Sequence, residues 1–231
     1  PGFAKHFADT APQVFTPKFE TDTPMKNLAK AILPTAVLKQ AQALKNRRRL
    51  AEWERVARNA DQRRATKAPR KGRILILPSD LESITGALGD DAMISATVAM
   101  CRKMDPEVEA DLFCLEVAEP IVRKMGYTPV RIPPAGSLAA GFDRMFAGAP
   151  YDAFFILGAD IMDGYYRKQV ASRLLMAADL AARNGIPTTI LGCSFNDKPA
   201  LDLVEDYSRL SPAVALNIRD EISLERIRAF A

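Results

Sequence analysis

Arg219, Asp160, Asp163, Asp90, Gly89 and Ser194 are the residues whose types and positions suit ligand chemistry. Arg219 directly follows an apolar run, Val214 to Ile218, in an otherwise acidic stretch. A guanidinium there can hold a phosphate or carboxylate through two parallel hydrogen bonds. The competing role is an ion pair with Asp220. Asp160 and Asp163 lie in Gly158-Ala159-Asp160-Ile161-Met162-Asp163-Gly164, just after the apolar run Ala153 to Leu157. Two carboxylates there can bind sugar hydroxyls or act as acid or base. Equally, they can serve as loop and helix-cap acceptors. Asp90 and Asp91 open an amphipathic segment, where the helix dipole favours each by about 0.3–1 kcal/mol. The same charge opposes a bound phosphate, so Asp90 reads as a cap or as a ligand for an acceptor hydroxyl. Gly86 and Gly89 permit close backbone approach. Ser194, after Gly192, can bond substrate or cap a turn. It is no activated nucleophile, because the only histidine is His6, far away in the N-terminal tail.

These residues need a frame to bring them together. From Arg73 onward, short apolar runs alternate with helical patterns. Strands are expected at 74–77, 110–115, 129–132, 153–157, 187–191 and 214–218. Helices are expected at 90–104, 118–125, 137–146, 165–184, 200–210 and 222–230. This order predicts an α/β, Rossmann-like fold: a mostly parallel six-stranded sheet with helices on both faces. Ligands of such sheets bind at the carboxyl ends of the strands. That rule selects four loops, 79–91, 158–164, 192–196 and 219–223, which together hold all six residues. Neither a G-x-G-x-x-G nor a G-x-x-x-x-G-K-[ST] phosphate loop is present.

Three regions are expected: an irregular tail over 1–24, a basic helical arm with its linker over 25–72, and the α/β domain over 73–231. The tail carries Pro1, Pro12, Pro17 and Pro24 among Phe3, Phe7, Phe15 and Phe19. The arm holds a short helix from Met25 to Leu33, a break at Pro34, and a long helix from Thr35 to about Thr66 without Gly or Pro. Residues 25–73 contain 15 Lys/Arg and 3 Asp/Glu, whereas 74–231 contain 15 and 22. The arm, not the domain, sets the basic pI. One role for it is peripheral contact with an anionic membrane surface. The other is packing of its stripes (Val37, Ala41, Leu44 and Leu50, Trp53, Ala57, Ala60) on its own domain or a partner. The narrow, Ala-rich face favours packing. No nucleic-acid reading motif accompanies the basic run.

Hydrophobic content of 48% and charged content of 26% fit a globular chain of 231 residues. No apolar run approaches a membrane span, and no secretory signal is visible. Cys101, Cys114 and Cys193 are widely spaced and read as reduced, mostly buried thiols, pointing to a cytoplasmic location. No metal site and no cofactor is expected. The first residue is Pro rather than Met, so a fragment or processed product is expected.

Taken together, the loops resemble the polysaccharide pyruvyl transferase family. Gly86-Ala87-Leu88-Gly89-Asp90-Asp91-Ala92-Met93 is similar to that family's G-N-x-G-D-x-A opening. Phe155 to Asp163 stands in the place of its G-G-G-x-x-x-D segment, with Gly158-Ala159-Asp160 where the family has three glycines. Gly185-Ile186-Pro187, then Leu191 to Phe195, then Arg219-Asp220-Glu221-Ile222-Ser223, similar to R-D-x-x-S, complete the match over 73–231. The resemblance implies two Rossmann-like domains facing across a cleft, as in GT-B glycosyltransferases. It implies transfer of a pyruvyl group from phosphoenolpyruvate to sugar hydroxyls of a cell-surface or exported polysaccharide, as a ketal. Arg219 would bind the donor; Gly89, Asp90, Asp160 and Asp163 would face the acceptor or shape the cleft. The family's second domain, with a catalytic His and further basic residues, lies outside the match, so the chain alone is expected to be inactive. Two alternatives stay open: a GT-B nucleotide-sugar glycosyltransferase, and a non-catalytic assembly domain docked through its basic arm.

Overall fold

The computed structural model describes residues 35–63, 72–79, 81, 88–134, 138–147 and 151–230. The expected tail, the Met25–Leu33 helix, the linker over 67–71 and Gly86 lie outside them. The chain divides into two compact units, 1–47 and 48–231. In the first, the described residues belong to helix α1 (Thr35–Arg63) and are exposed except for half-buried Leu38 and Asn46.

The second unit is built on one six-stranded sheet: β1 (Arg73–Leu77), β2 (Glu109–Cys114), β3 (Thr128–Arg131), β4 (Ala153–Leu157), β5 (Thr188–Cys193) and β6 (Val214–Ile218). Every pairing is parallel, and the order is β3-β2-β1-β4-β5-β6. The connecting helices are α2 (Leu88–Met104), α3 (Glu119–Lys124), α4 (Leu138–Ala147), α5 (Lys168–Arg183), α6 (Val204–Arg209) and α7 (Glu221–Phe230). This is the expected Rossmann-like α/β architecture. The chain winds outward from β1 in one direction, then returns to its other side through β4. The carboxyl ends of β1 and β4 therefore flank the switch in winding, where open parallel sheets form a crevice.

The apolar runs behave as strands because both faces of each are covered. In β1, Ile74 and Ile76 point into one core with Ile94 and Val98 of α2 and Val122 of α3. Leu75 and Leu77 point into the other, with Phe142 and Phe146 of α4 and Leu174 and Leu175 of α5. Phe113, Phe142, Phe146 and Phe154 form a chain of ring contacts in this second core.

A further layer covers α5. Its buried residues run round the whole helix, including Ser172 and Asp179. A helix buried on all sides needs cover on its second face, and the second half of α1 supplies it. Leu50, Trp53, Val56 and Ala57 join the core, with Trp53 fully buried. Trp53 Nε1 donates to Asp179 Oδ2 at 2.7 Å. Arg183 donates to Asp179 Oδ1 at 2.8 Å and to Asp61 of α1 at 2.6 Å. Arg49 donates to Asp206 at 2.7 Å and also to Ser172. The second compact unit thus starts at Arg48, inside the helix, and the Leu50, Trp53, Ala57 and Ala60 stripe is buried, the packing its narrow face favours. Arg47-Arg48-Arg49 is likewise split: Arg47 and Arg48 are exposed, while Arg49 turns inward.

Candidate functional site

The site begins where β1 and β4 end. A cavity of about 230 Å³ opens there, lined by Ser79, Asp160, Ile161, Tyr166, Arg167 and Val170. On the β1 side, Pro78 stops the strand and Ser79 turns inward, 5% exposed. Its Oγ donates to Asp90 Oδ1 at 3.4 Å. Asp90 is in the first turn of α2, which starts at Leu88 rather than at Asp90. Asp90 therefore stands one hydrogen bond behind the cavity. Gly89 is exposed in the same turn, and a Cβ added to it would meet nothing within 4 Å.

On the β4 side the backbone is unusual. Gly158 N–H donates to Leu191 O at 2.7 Å. A Cβ on Gly158 would lie 2.6 Å from Cys193 Sγ and 3.0 Å from Leu191 O, so this position admits no side chain. Ala159 is the only non-glycine with positive φ among the described residues, at 44°. That conformation costs an L-residue about 1–2 kcal/mol. It turns the chain so that Asp160 stands exposed on the rim of the cavity. Backbone strain of this kind concentrates where geometry serves a ligand.

Asp163 has a different place. It is 2% exposed and accepts from Tyr165 N–H at 2.8 Å and Asn196 N–H at 2.7 Å. Its carbonyl accepts from Ala200 N–H at 2.8 Å. With both carboxylate oxygens bonded to backbone, Asp163 locks the loop after β4 to the loop after β5. Tyr207 supports the same loop from within, donating its hydroxyl to Met162 O at 3.0 Å; burial first, then the nearby Cys193, pushes that phenol well above its usual range.

The expected helix over 165–184 begins later, at Lys168. Asp163 bonds Tyr165 in an Asx turn and Gly164 has φ 71°, so 163–167 form a turn instead. That turn exposes Tyr165 and Tyr166, 51% and 63%. Their rings meet edge-to-face with centroids 5.1 Å apart. Arg167, the residue before α5, accepts through its carbonyl from Val170 and Ala171 N–H. Tyr166 and Arg167 were absent from the expected set because 165–184 read as one helix; Ser79 lay in the expected loop 79–91 but was not singled out there. The Asp163-Gly164 dipeptide is a turn signal that would have moved the helix start and put both tyrosines in the loop.

The last two loops sit further along the same edge. Between Ile190 and Cys193 the β5–β6 register shifts, and Gly192 has φ 66°. This bulge re-aims the strand end. Ser194 N–H donates to Ala159 O at 2.8 Å, while its buried Oγ makes no hydrogen bond among the described residues. Arg219 N–H donates to Cys193 O at 2.9 Å. The Arg219 side chain is 65% exposed and only loosely paired with Asp220 at 3.8 Å. It does not line the cavity; β6 lies two strands from β4, about 10 Å at ordinary strand spacing. Asp160 and, through Ser79, Asp90 are thus gathered at the switch point, Asp163 and Ser194 support the loops beside it, and Arg219 stands apart as an exposed cation.

No thiol is available for chemistry here. Cys101, Cys114 and Cys193 are free and buried, as expected, and burial pushes Cys193 up to about 12. Among the described residues, no group of three or more His, Cys, Asp or Glu side chains could hold a metal ion, and no helix is long and apolar enough to cross a membrane. The arrangement can bind a small polar ligand through a carboxylate, hydroxyls and a guanidinium over partly apolar walls. In comparisons with known proteins, no family model, no curated protein and no solved structure matches this chain.

Proposed function

We propose that this domain forms the acceptor-side wall of a transferase that moves a pyruvyl group from phosphoenolpyruvate to hydroxyls of a cell-surface or exported polysaccharide. One observation carries the reading. Of the five segments that resemble pyruvyl transferase motifs, four follow the carboxyl ends of the neighbouring strands β1, β4, β5 and β6 of one parallel sheet, and the fifth, Gly185-Ile186-Pro187, leads into β5. In the reaction, the enol carbon of the donor takes a proton and becomes a methyl group. Two sugar oxygens bond to the adjacent carbon as the phosphate ester bond breaks. Of the two hydroxyl protons, one balances the new methyl and the other leaves with phosphate. Asp160 has the position to accept a hydroxyl proton or hold the hydroxyl. Arg219 has the exposure to bind a phosphate or carboxylate entering from solvent. The remaining cations and the acid belong, in this reading, to a second domain across the cleft. The cavity, at about 230 Å³, is smaller than the roughly 300–1,000 Å³ of ordinary small-molecule sites, which weighs against a whole nucleotide sugar. The exposed basic residues Lys39, Lys45, Arg47 and Arg48 suit an anionic lipid surface, at about 1 kcal/mol each.

The test is phosphate release by the full-length protein. Phosphoenolpyruvate is expected to yield phosphate only when a glycan acceptor is present, and turnover of nucleotide sugars instead would overturn the reading. Arg219→Ala is expected to weaken donor use by the about 1.5–3 kcal/mol of a charged hydrogen bond, and an unchanged rate removes Arg219 from the site.

A further inference from the structure

The tyrosine pair beside the cavity is largely exposed. Tyr165 and Tyr166 keep half or more of their surface in solvent, and neither belongs to a hydrophobic core. The loop that presents them is nonetheless held firmly. Asp163 bonds the backbone on both sides of it, Tyr207 bonds Met162, and a Cβ on Gly164 would strike Leu203 at 2.6 Å. A braced loop that displays aromatic rings at a crevice is organised for a ligand.

Three features say which ligand. The cavity, at about 230 Å³, has room for one small ring. Its walls are mixed: Ile161 and Val170 are apolar, while Asp160, Arg167 and Ser79 are polar. Tyr166 lines it and is braced edge-on by Tyr165, with an interplanar angle of 89°. A pyranose has this same division. Its C–H face is apolar and slightly positive, matching the negative face of an aromatic ring. Its rim carries hydroxyl donors, matching an ionised carboxylate that only accepts. A flat aromatic ligand would gain from the tyrosines but would leave Asp160 without donors. A simple anion would meet Asp160 as well as Arg167, so the attraction of the guanidinium would be offset by the carboxylate beside it.

We propose that the cavity is a subsite for one pyranose ring, with Tyr166 as the stacking face, Tyr165 as its brace and Asp160 as acceptor for ring hydroxyls. This deepens the transferase reading by placing the sugar acceptor, and it can fail separately from it.

The experiment is saturation-transfer NMR on the full-length protein with methyl glycosides of galactose, glucose and mannose as probes. At least one glycoside is expected to bind, with saturation concentrated on the C–H protons of one ring face. Tyr166→Ala is expected to weaken that binding about tenfold, a change of about 1.4 kcal/mol, and Asp160→Asn to weaken it by a similar factor. Both side chains are exposed, so melting temperatures should stay within a degree or two. Leu201→Ala, an exposed apolar residue outside the cavity, is the control and should bind as the native protein does. No binding of any of the three glycosides overturns the subsite. So does full affinity in Tyr166→Ala. Glycoside binding without phosphate release from phosphoenolpyruvate leaves the subsite standing and removes the transferase. Phosphate release with an unchanged acceptor KM in Tyr166→Ala does the reverse.

Discussion

Asp220 and Ser223 carry the structural half of Arg219-Asp220-Glu221-Ile222-Ser223. Asp220 precedes α7 and its Oδ1 accepts from Ser223 N–H at 2.7 Å, a helix N-cap. Ser223 Oγ in turn accepts from Phe195 N–H at 3.0 Å, tying the helix to the loop after β5. Both polar residues of the motif are therefore used to place the turn, and Arg219 is what the turn displays. The Ser223 N–H holds the Asp220 carboxyl below the usual carboxylate range. A lowered folded-state pKa stabilises the fold above the ordinary Asp value, about 3.9, and that contribution is lost as pH falls through the lower folded value. The stability gap between the native protein and Asp220→Ala should be full at neutral pH and close below about pH 4, read from urea midpoints. A gap unchanged between neutral and acid pH would exclude the cap. At this scale the sequence was legible for residue types but not for partners. Asp160 and Asp163 look equivalent in the chain, yet one is exposed and the other has both oxygens bonded. Asp163 owes one of its bonds to a local turn at Tyr165 and the other to Asn196, thirty-three residues away.

Among the elements, α1 shows the packing that its narrow, Ala-rich face favours. Its Trp53, fully buried, belongs to the core of the α/β unit, whereas residues 35–47 are largely exposed. A cut after residue 47 should therefore leave a cooperatively folded protein. A cut after residue 72 removes Leu50, Trp53, Val56 and Ala57 together. Loss of a buried Trp alone costs about 3–5 kcal/mol, so this longer truncation should not fold cooperatively. The shorter truncation is also the test of membrane contact: it should abolish sedimentation with anionic liposomes at low salt, and undiminished sedimentation would remove that role. The sequence held a clue to the packing. Residues 168–183 are apolar on nearly every side, too much for a helix covering one sheet face. The polar Ser172, Asp179 and Arg183 interrupt it on the side that α1 meets.

Across the whole molecule, the two ends of the sheet have separate duties. The carboxyl end opens into loops and a cavity, while the amino end is closed by a polar network. Asp111 of β2, 2% exposed, accepts from Arg73 of β1 at 2.9 Å and from Tyr151, just before β4, at 2.7 Å. Burial, then the Asp111 hydrogen bond, raises the Tyr151 phenol far above its usual value, so it remains a donor. Asp111→Ala removes the shared acceptor of three adjacent strands. The cost should be about 3 kcal/mol by urea unfolding, with glycoside binding at the opposite end retained. A loss under about 1 kcal/mol would show that the network is solvated rather than structural.

The sequence by itself determined the strands, their alternation with helices and the edge at which a ligand would sit. Those features follow from local apolar runs and from the rule that parallel sheets must be covered on both faces. Only the tertiary structure decided which loop residues meet. Strand order brought the ends of β1 and β4 together, Asn196 closed the Asp163 lock from the loop after β5, and Ser172 and Asp179 decided which turns of α1 joined the core. Each of these depends on contacts between residues distant in the chain, for which local periodicity carries no signal.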